Sequence, residues 1–212
     1  MTDTDLKQDR QRGEAYLFLA TLFANRPEVE ALARMATIAE QSSGEEGCAG
    51  EIIAALRGEP DLEALTLRLA TEHTRLFRGV REGYGPPPPY ESLWREGQMM
   101  GDSTVAVATA FLEAGYAYDG AWGPCDHLAE ELRFMAALCN AEDDGGVLEQ
   151  QAAFVERHLS AWVPTYCHAL AEQAREPLYR ALARVTAAIV AEDAEHLRTH
   201  ESQRDRPRSR RG

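Results

Sequence analysis

Cysteine, long apolar runs and strand-like alternation are scarce or missing in this 212-residue chain, and each shortage excludes a class of protein. The four cysteines, Cys48, Cys125, Cys139 and Cys167, match neither CxxC nor any metal-ligand spacing, which predicts reduced thiols in a cytoplasmic protein. The most apolar stretch, VAVATAFL from Val105, meets Glu113 long before the roughly 20 apolar residues of a membrane span accumulate. The amino end, MTDTDLKQDRQRGE, has no apolar segment behind a basic start and does not read as a secretory signal. No segment alternates with period two, and no internal repeat is found. HExxH, GxSxG, GxxxxGK[ST] and glycine-rich nucleotide cradles are absent. No Glu-x-x-His places two di-iron ligands on one helix face. Asp193-x-x-His196-x-x-x-His200 comes nearest to a metal set, but it lies where the last helix gives way to a polar tail. The expectation is a binding module with no catalytic residues, metal or cofactor of its own.

What is present is charge of one sign. The chain carries −13, while the last fifteen residues hold six arginines against Glu201 and Asp205, a net +4, leaving −17 on residues 1–197. Such a body repels nucleic acid and attracts basic peptides, although an acidic surface also simply keeps proteins in solution. RTHESQRDRPRSRRG is too polar to bury anything, so a helical domain is expected over 1–197 and a disordered basic tail over 198–212.

The hydrophobic period is helical nearly everywhere, which predicts an all-α fold, a single compact bundle of many short helices. Tyr16, Leu19, Ala20 and Phe23 recur at i, i+3, i+4 and i+7. Leu62, Leu65, Leu69, His73 and Leu76 form a second stripe ending at Gly79, and Val105, Ala108 and Leu112 a third ending at Gly115. Further helices are expected from about Asp126 to Glu142, over Leu148 to Leu159, and from prolines 164 and 177 onward. Weaker signals cover Pro27 to Glu40 and Gly50 to Arg57.

Two stretches offer more than packing. YGPPPPYESLW stands between helices, and its consecutive prolines favour a rigid extended corner that delivers the residues after it to a set place. Pro87 to Tyr90 also matches a PPxY ligand, but such ligands lie in disordered tracts and this one is bracketed by amphipathic helices. In WGPCDHLAEELRFMAALC, Leu128, Leu132, Met135 and Cys139 make one buried stripe, with His127, Glu131, Phe134 and Leu138 on its shoulder. Asp126 at the helix start reads equally as a cap for free N–H groups or as one edge of a groove, and His127 as a core-edge histidine or a rim residue.

Glu72, Arg75-Leu76-Phe77 and Gly79, then Pro89-Tyr90-Glu91-Ser92, then Pro124-x-Asp126-His127 with Glu131-Leu132 and Phe134-Met135, followed by Phe154, His158-Leu159, Trp162 and Pro164, resemble the TorD/DmsD family of redox-enzyme maturation chaperones. The resemblance runs from about Gly13 to Glu195. It departs from the family at His73, where an aromatic is common, at Gly79-Val80-Arg81 and at Cys125. It implies a cytoplasmic chaperone that binds the twin-arginine leader of a molybdopterin-containing oxidoreductase and holds the apoenzyme while cofactor is loaded. It also implies a monomer or a homodimer that exchanges helices about Gly79 to Gly85. On this reading Asp126 and Glu131 stand near the leader's arginines. Leu76, Phe77, Tyr90 and Trp94 line an apolar part, Pro89, Glu91, Ser92 and Pro124 belong to the same leader-binding site, and His127 is a hydrogen-bonding or pH-sensitive rim residue. The alternative is a helical adaptor that uses the same groove for some other basic peptide.

Overall fold

The computed structural model describes residues 3–41, 50, 52, 56, 61–79, 84–120, 123–141 and 146–204. These residues are all-α. Helices α1 (Asp3–Ala24), α2 (Val29–Gln41), α3 (Leu62–Phe77), α4 (Glu91–Glu96), α5 (Asp102–Glu113), α6 (Leu128–Asn140), α7 (Val147–Phe154), α8 (Ser160–Gln173) and α9 (Pro177–Arg204) pack around one apolar core. Two backbone segments pair only through an isolated bridge between Tyr90 and His127. No helix among the described residues is long and apolar enough to cross a membrane.

The expected stripes on α1, α3 and α6 face the core. Tyr16, Leu19, Leu69, Leu76, Leu128, Leu132 and Met135 have no exposed surface. Helix α5 turns the other way. Val105 and Leu112, expected inside, are 66% and 81% exposed, while Val107 and Phe111 are buried. Apolar residues surround this helix, so period alone does not choose a face; the aromatic cluster decides. Phe111 packs on Phe134 at 4.6 Å between ring centres, and Phe134 on Phe154 at 4.7 Å.

The two helices expected at Leu148 to Leu159 and from Pro164 are one continuous rod. A π-turn, Val155–Leu159, joins α7 to α8, and Pro164 lies inside α8 rather than at its start. Proline removes an N–H from a helix interior, and the five-residue π-turn just before it marks the disturbed ladder. Pro177 does open its helix, and α9 continues to Arg204, past the boundary expected at residue 197. Most of the weak helix expected over 50–57 and most of the 79–85 hinge lie outside the described residues.

A buried polar network ties the ends of the chain together. Arg12 donates to both carboxylate oxygens of Asp193, at 2.5 and 3.0 Å, and to Gln151 at 2.8 Å, while the Tyr16 hydroxyl donates to Asp193 at 2.7 Å. Asp193 is thereby committed to α1 rather than to a metal set with His196 and His200. Among the described residues no three His, Cys, Asp or Glu side chains group as a metal site.

A second network anchors the proline corner. Arg75 forms a two-pronged ion pair with Glu72 at 2.6 and 2.7 Å and donates to the Tyr84 carbonyl at 2.9 Å and the Gln173 carbonyl at 2.6 Å. Both partners are almost fully buried, so each must be matched by the other. The chain returns so close that a Cβ on Gly85 would lie 2.3 Å from the Arg75 carbonyl oxygen. Backbone cannot yield as a flexible side chain would. Gly85→Ala is therefore expected to lower stability by roughly 1–3 kcal/mol, read as a fall in the urea midpoint at unchanged slope.

Candidate functional site

The corner and the start of α6 are laced together by three hydrogen bonds of 2.9 Å. The Leu128 N–H donates to the Pro89 carbonyl, the Glu91 N–H to the Asp126 carbonyl, and the Ser92 N–H to Asp126 Oδ2. Trp94 braces the same corner, its Nε1–H donating to the Pro88 carbonyl at 3.1 Å and its ring standing edge-on to Tyr166 at 5.3 Å. Prolines supply acceptors and no donors, so the corner's carbonyls face partners while its missing N–H groups need none. Tyr90 and His127 thus lie side by side, ring centres 4.9 Å apart.

This arrangement corrects the roles expected for the two carboxylates. Asp126 and Glu131 have no exposed surface, so neither stands on a rim where an arriving arginine meets it. Asp126 is not the helix cap either. His127 occupies that position, its Nδ1 accepting from the Ala129 N–H at 3.1 Å. That bond places the neutral ring's proton on Nε2.

Glu131 accepts from the Trp162 indole N–H at 3.2 Å, while its Oε1 has no donor. Burial pushes its carboxyl well above the usual range, and the neighbouring Glu91 charge adds to this. Glu91 is held by Arg95 at 2.5 Å and by His158 at 2.8 Å. The π-turn carries His158 into that contact, stacked on Phe154 at 4.7 Å. Leu76 belongs to the core, Ser92 and Pro89 to the lacing, and Pro124 to the turn before α6, its carbonyl accepting from the His127 N–H at 3.3 Å.

Three of the expected residues, Phe77, Tyr90 and His127, do converge, on a pocket of about 310 Å³. The sequence reading missed its other walls. Phe23, Ala24 and Pro88 complete the apolar side, exposed Arg78 and Met99 stand toward solvent, and His73 closes the buried side. The missed wall of α1 was visible only as core stripe. His73 carried one available signal, as a polar residue at a position where the stripe is otherwise apolar.

His73 has no exposed surface and neither ring nitrogen has a hydrogen-bond partner. The Phe23 backbone approaches closely enough to favour the protonated ring, yet not in hydrogen-bonding geometry. The ring is instead packed edge-on to Phe77 at 4.7 Å and Tyr179 at 6.3 Å. Burial, with the Arg78 charge nearby, pushes His73 down to about 4 and His127 down to about 3. Both rings are therefore neutral across the physiological range, and His127 serves by hydrogen bonding and shape, not as a pH sensor there.

Comparison with known proteins follows the same segments. The family described as nitrate reductase delta subunit matches residues 28–168. A chaperone protein TorD from Vibrio cholerae is 24% identical over 87% of this chain and 91% of its own length. A TorD from Shewanella pealeana is 35% identical over a shorter stretch, 35% of this chain and 32% of that one. A solved structure of a candidate redox enzyme maturation protein from Archaeoglobus fulgidus aligns at a TM-score of 0.49 with 24% identity, over 85% of this chain and 93% of that one.

Two outcomes are expected of the site. Asp126→Ala removes the acceptor of the buried Ser92 N–H and should cost about 1.5–3 kcal/mol, with Asp126→Asn, which keeps an acceptor, costing less; urea unfolding of both variants checks this. Acid is the second probe. Both histidines have folded values below their ordinary 6.5, so their contribution is fully present above that pH and is lost as pH falls through the folded values. Glu131, shifted upward, acts in the opposite sense. His73→Phe should flatten the decline in melting temperature between pH 6.5 and 4.

Proposed function

The chain belongs to the nitrate reductase delta subunit family, and we propose that it is a cytoplasmic chaperone for a molybdopterin-containing oxidoreductase, binding that enzyme's twin-arginine leader and holding the apoenzyme until its cofactor is loaded. The relatives named as TorD chaperones support the class of function. The observation that carries the site is the convergence of Phe77, Tyr90 and His127 on one pocket beside the laced proline corner. The protein works by binding rather than by chemistry.

A twin-arginine leader presents two guanidinium groups and then an apolar stretch. Its receptor needs carboxylates on a surface beside apolar area. The acidic body of the chain attracts such a peptide at a distance. With Asp126 and Glu131 internal, the arginines are assigned to two exposed carboxylates that flank Met99 in the chain, Glu96 and Asp102. Glu96 is partly engaged, accepting from the Ser103 N–H at 2.9 Å, which leaves Asp102 the freer of the two.

The apolar stretch has a surface to follow. Met99 in the pocket wall is followed in the chain by Met100, 72% exposed, and by exposed Val105 and Leu112 on α5. Methionine side chains are flexible and polarizable, and they adapt to varied apolar partners. Asp126, Glu91 and Glu131 take part by holding the corner and α6 in register.

Binding by this route has two separable components. Affinity for a twin-arginine leader peptide should fall as salt rises, because exposed carboxylates are screened over about 8 Å at physiological ionic strength, and should level off at high salt where apolar burial persists. Calorimetric titration across a salt series checks both limbs; indifference to salt, or complete loss in it, would sink the two-component site. Replacing both leader arginines by lysine should weaken binding through loss of the planar fork at constant charge.

A further inference from the structure

The chain is strongly acidic, yet its pocket meets solvent with cations. None of the lining residues is acidic, and Arg78 stands exposed in the wall. The Arg78 charge reaches every polar ring of the pocket: after burial it is the largest influence on His73, Tyr90 and His127. Arg26, exposed just beyond the end of α1, also acts on His73. Neither arginine has an ion-pair or side-chain hydrogen-bond partner among the described residues. Asp126, the acid whose charge reaches Tyr90, has no exposed surface and cannot come out to meet them. His127 adds a donor. It lines the pocket and keeps 7% of its surface exposed; its Nδ1 is taken by the Ala129 N–H, and the N–H on its Nε2 has no partner.

We propose that this pocket binds a carboxylate carried on a small apolar or aromatic body, the body lying against Phe23, Phe77 and Pro88 and the carboxylate meeting Arg78 and the His127 N–H. The chemistry of each candidate group decides this. A carboxylate only accepts, and the planar guanidinium fork matches its two oxygens. A neutral carbonyl also accepts from His127 but gains little from the charge of Arg78. A guanidinium or ammonium only donates, so it would meet donors and a like charge. The acidic body opposes an anion at a distance, but salt screens that field beyond about 8 Å, and at the pocket the nearest charges are Arg78 and Arg26. The inference goes beyond the leader reading and does not need it, because the leader's arginines are assigned to carboxylates outside the pocket. The same chemistry is offered by a free organic acid and by an acidic residue next to an apolar one in a bound chain.

Small probes test this without a leader peptide. p-Toluate, p-toluamide and p-methylbenzamidinium share a ring and a methyl group and differ only in the head. Titrations followed by backbone and histidine-ring nitrogen NMR should show p-toluate binding about three- to tenfold more tightly than p-toluamide, with p-methylbenzamidinium weakest. The shifts should centre on Phe77, Tyr90 and the His127 ring. Arg78→Gln, a change at an exposed position, should erase most of the preference for p-toluate, and Arg26→Gln a smaller part, with p-toluamide affinity nearly unchanged in both. Arg78 also follows the last turn of α3, where a cation offsets the helix dipole. If that is its only role, Arg78→Gln lowers the melting temperature and leaves the preference intact, which would overturn the proposal. Equal affinity for p-toluate and p-toluamide, tight p-methylbenzamidinium binding, shifts elsewhere on the molecule, or no binding of any probe would each overturn it as well. An acetylated and amidated phenylalanine–glutamate dipeptide distinguishes the sources: its binding upholds the pocket as a site for a chain segment, and binding of p-toluate alone upholds it as a site for a free acid. Expected probe behaviour with no binding of a twin-arginine peptide would uphold this proposal and overturn the leader reading alone.

Discussion

The site depends on the lacing of Pro89–Ser92 to Asp126–Leu128. Three hydrogen bonds of 2.9 Å join a segment just after the prolines to the first residues of α6, 34 to 39 positions further along the chain. Neither segment would hold its shape alone: α4 is six residues long, shorter than any helix stable by itself in water, and the prolines before it can accept but not donate. Joined, each satisfies the other's polar groups. Tyr90 and His127 become neighbours as a consequence, and the pocket forms where that pair meets α1 and the end of α3.

Charge in this protein is divided by depth. The buried acids have assigned partners: Glu72 with Arg75, Glu91 with Arg95 and His158, and Asp193 with Arg12 and Tyr16. Asp126 and Glu131 each keep one oxygen without a donor, and Glu131, adjoining another carboxyl, is pushed well above the usual range by burial. An ion removed from water without a partner is strongly unfavourable, so these acids are unsuited to meeting a mobile ligand. The carboxylates left for a basic peptide are those on the surface, where each is individually weak and screened by salt but where their summed field still guides association. The pocket itself is neutral on its buried side and cationic at Arg78, a polarity opposite to that of the acidic body around it.

Helix α5 and the α7–α8 rod show where local pattern stops being informative. Val105, Ala108 and Leu112 obey the same spacing as Val107 and Phe111, and only the aromatic cluster with Phe134 and Phe154 selects the face that turns inward. Pro164 reads as the start of a helix by its chemistry, yet packing carries the helix through it and places the distortion upstream, at the turn that delivers His158 to Glu91. In both cases a long-range contact overrides a short-range preference.

By itself the sequence determined the helical class, the core stripes of α1, α3 and α6, the rigid corner between two helices and the acidity of the body, because each follows from spacing, proline geometry or charge count over neighbouring residues. The tertiary structure alone decided which polar residues face inward. Asp126 and Glu131 look like ligands for an arginine when read in one dimension, and His73 looks like a member of a core stripe. Folding turns the two acids inward, since burial depends on what the rest of the chain places over a residue: Ser92, Trp162 and Glu91 enclose them, while His73 keeps its place in the stripe with no exposed surface.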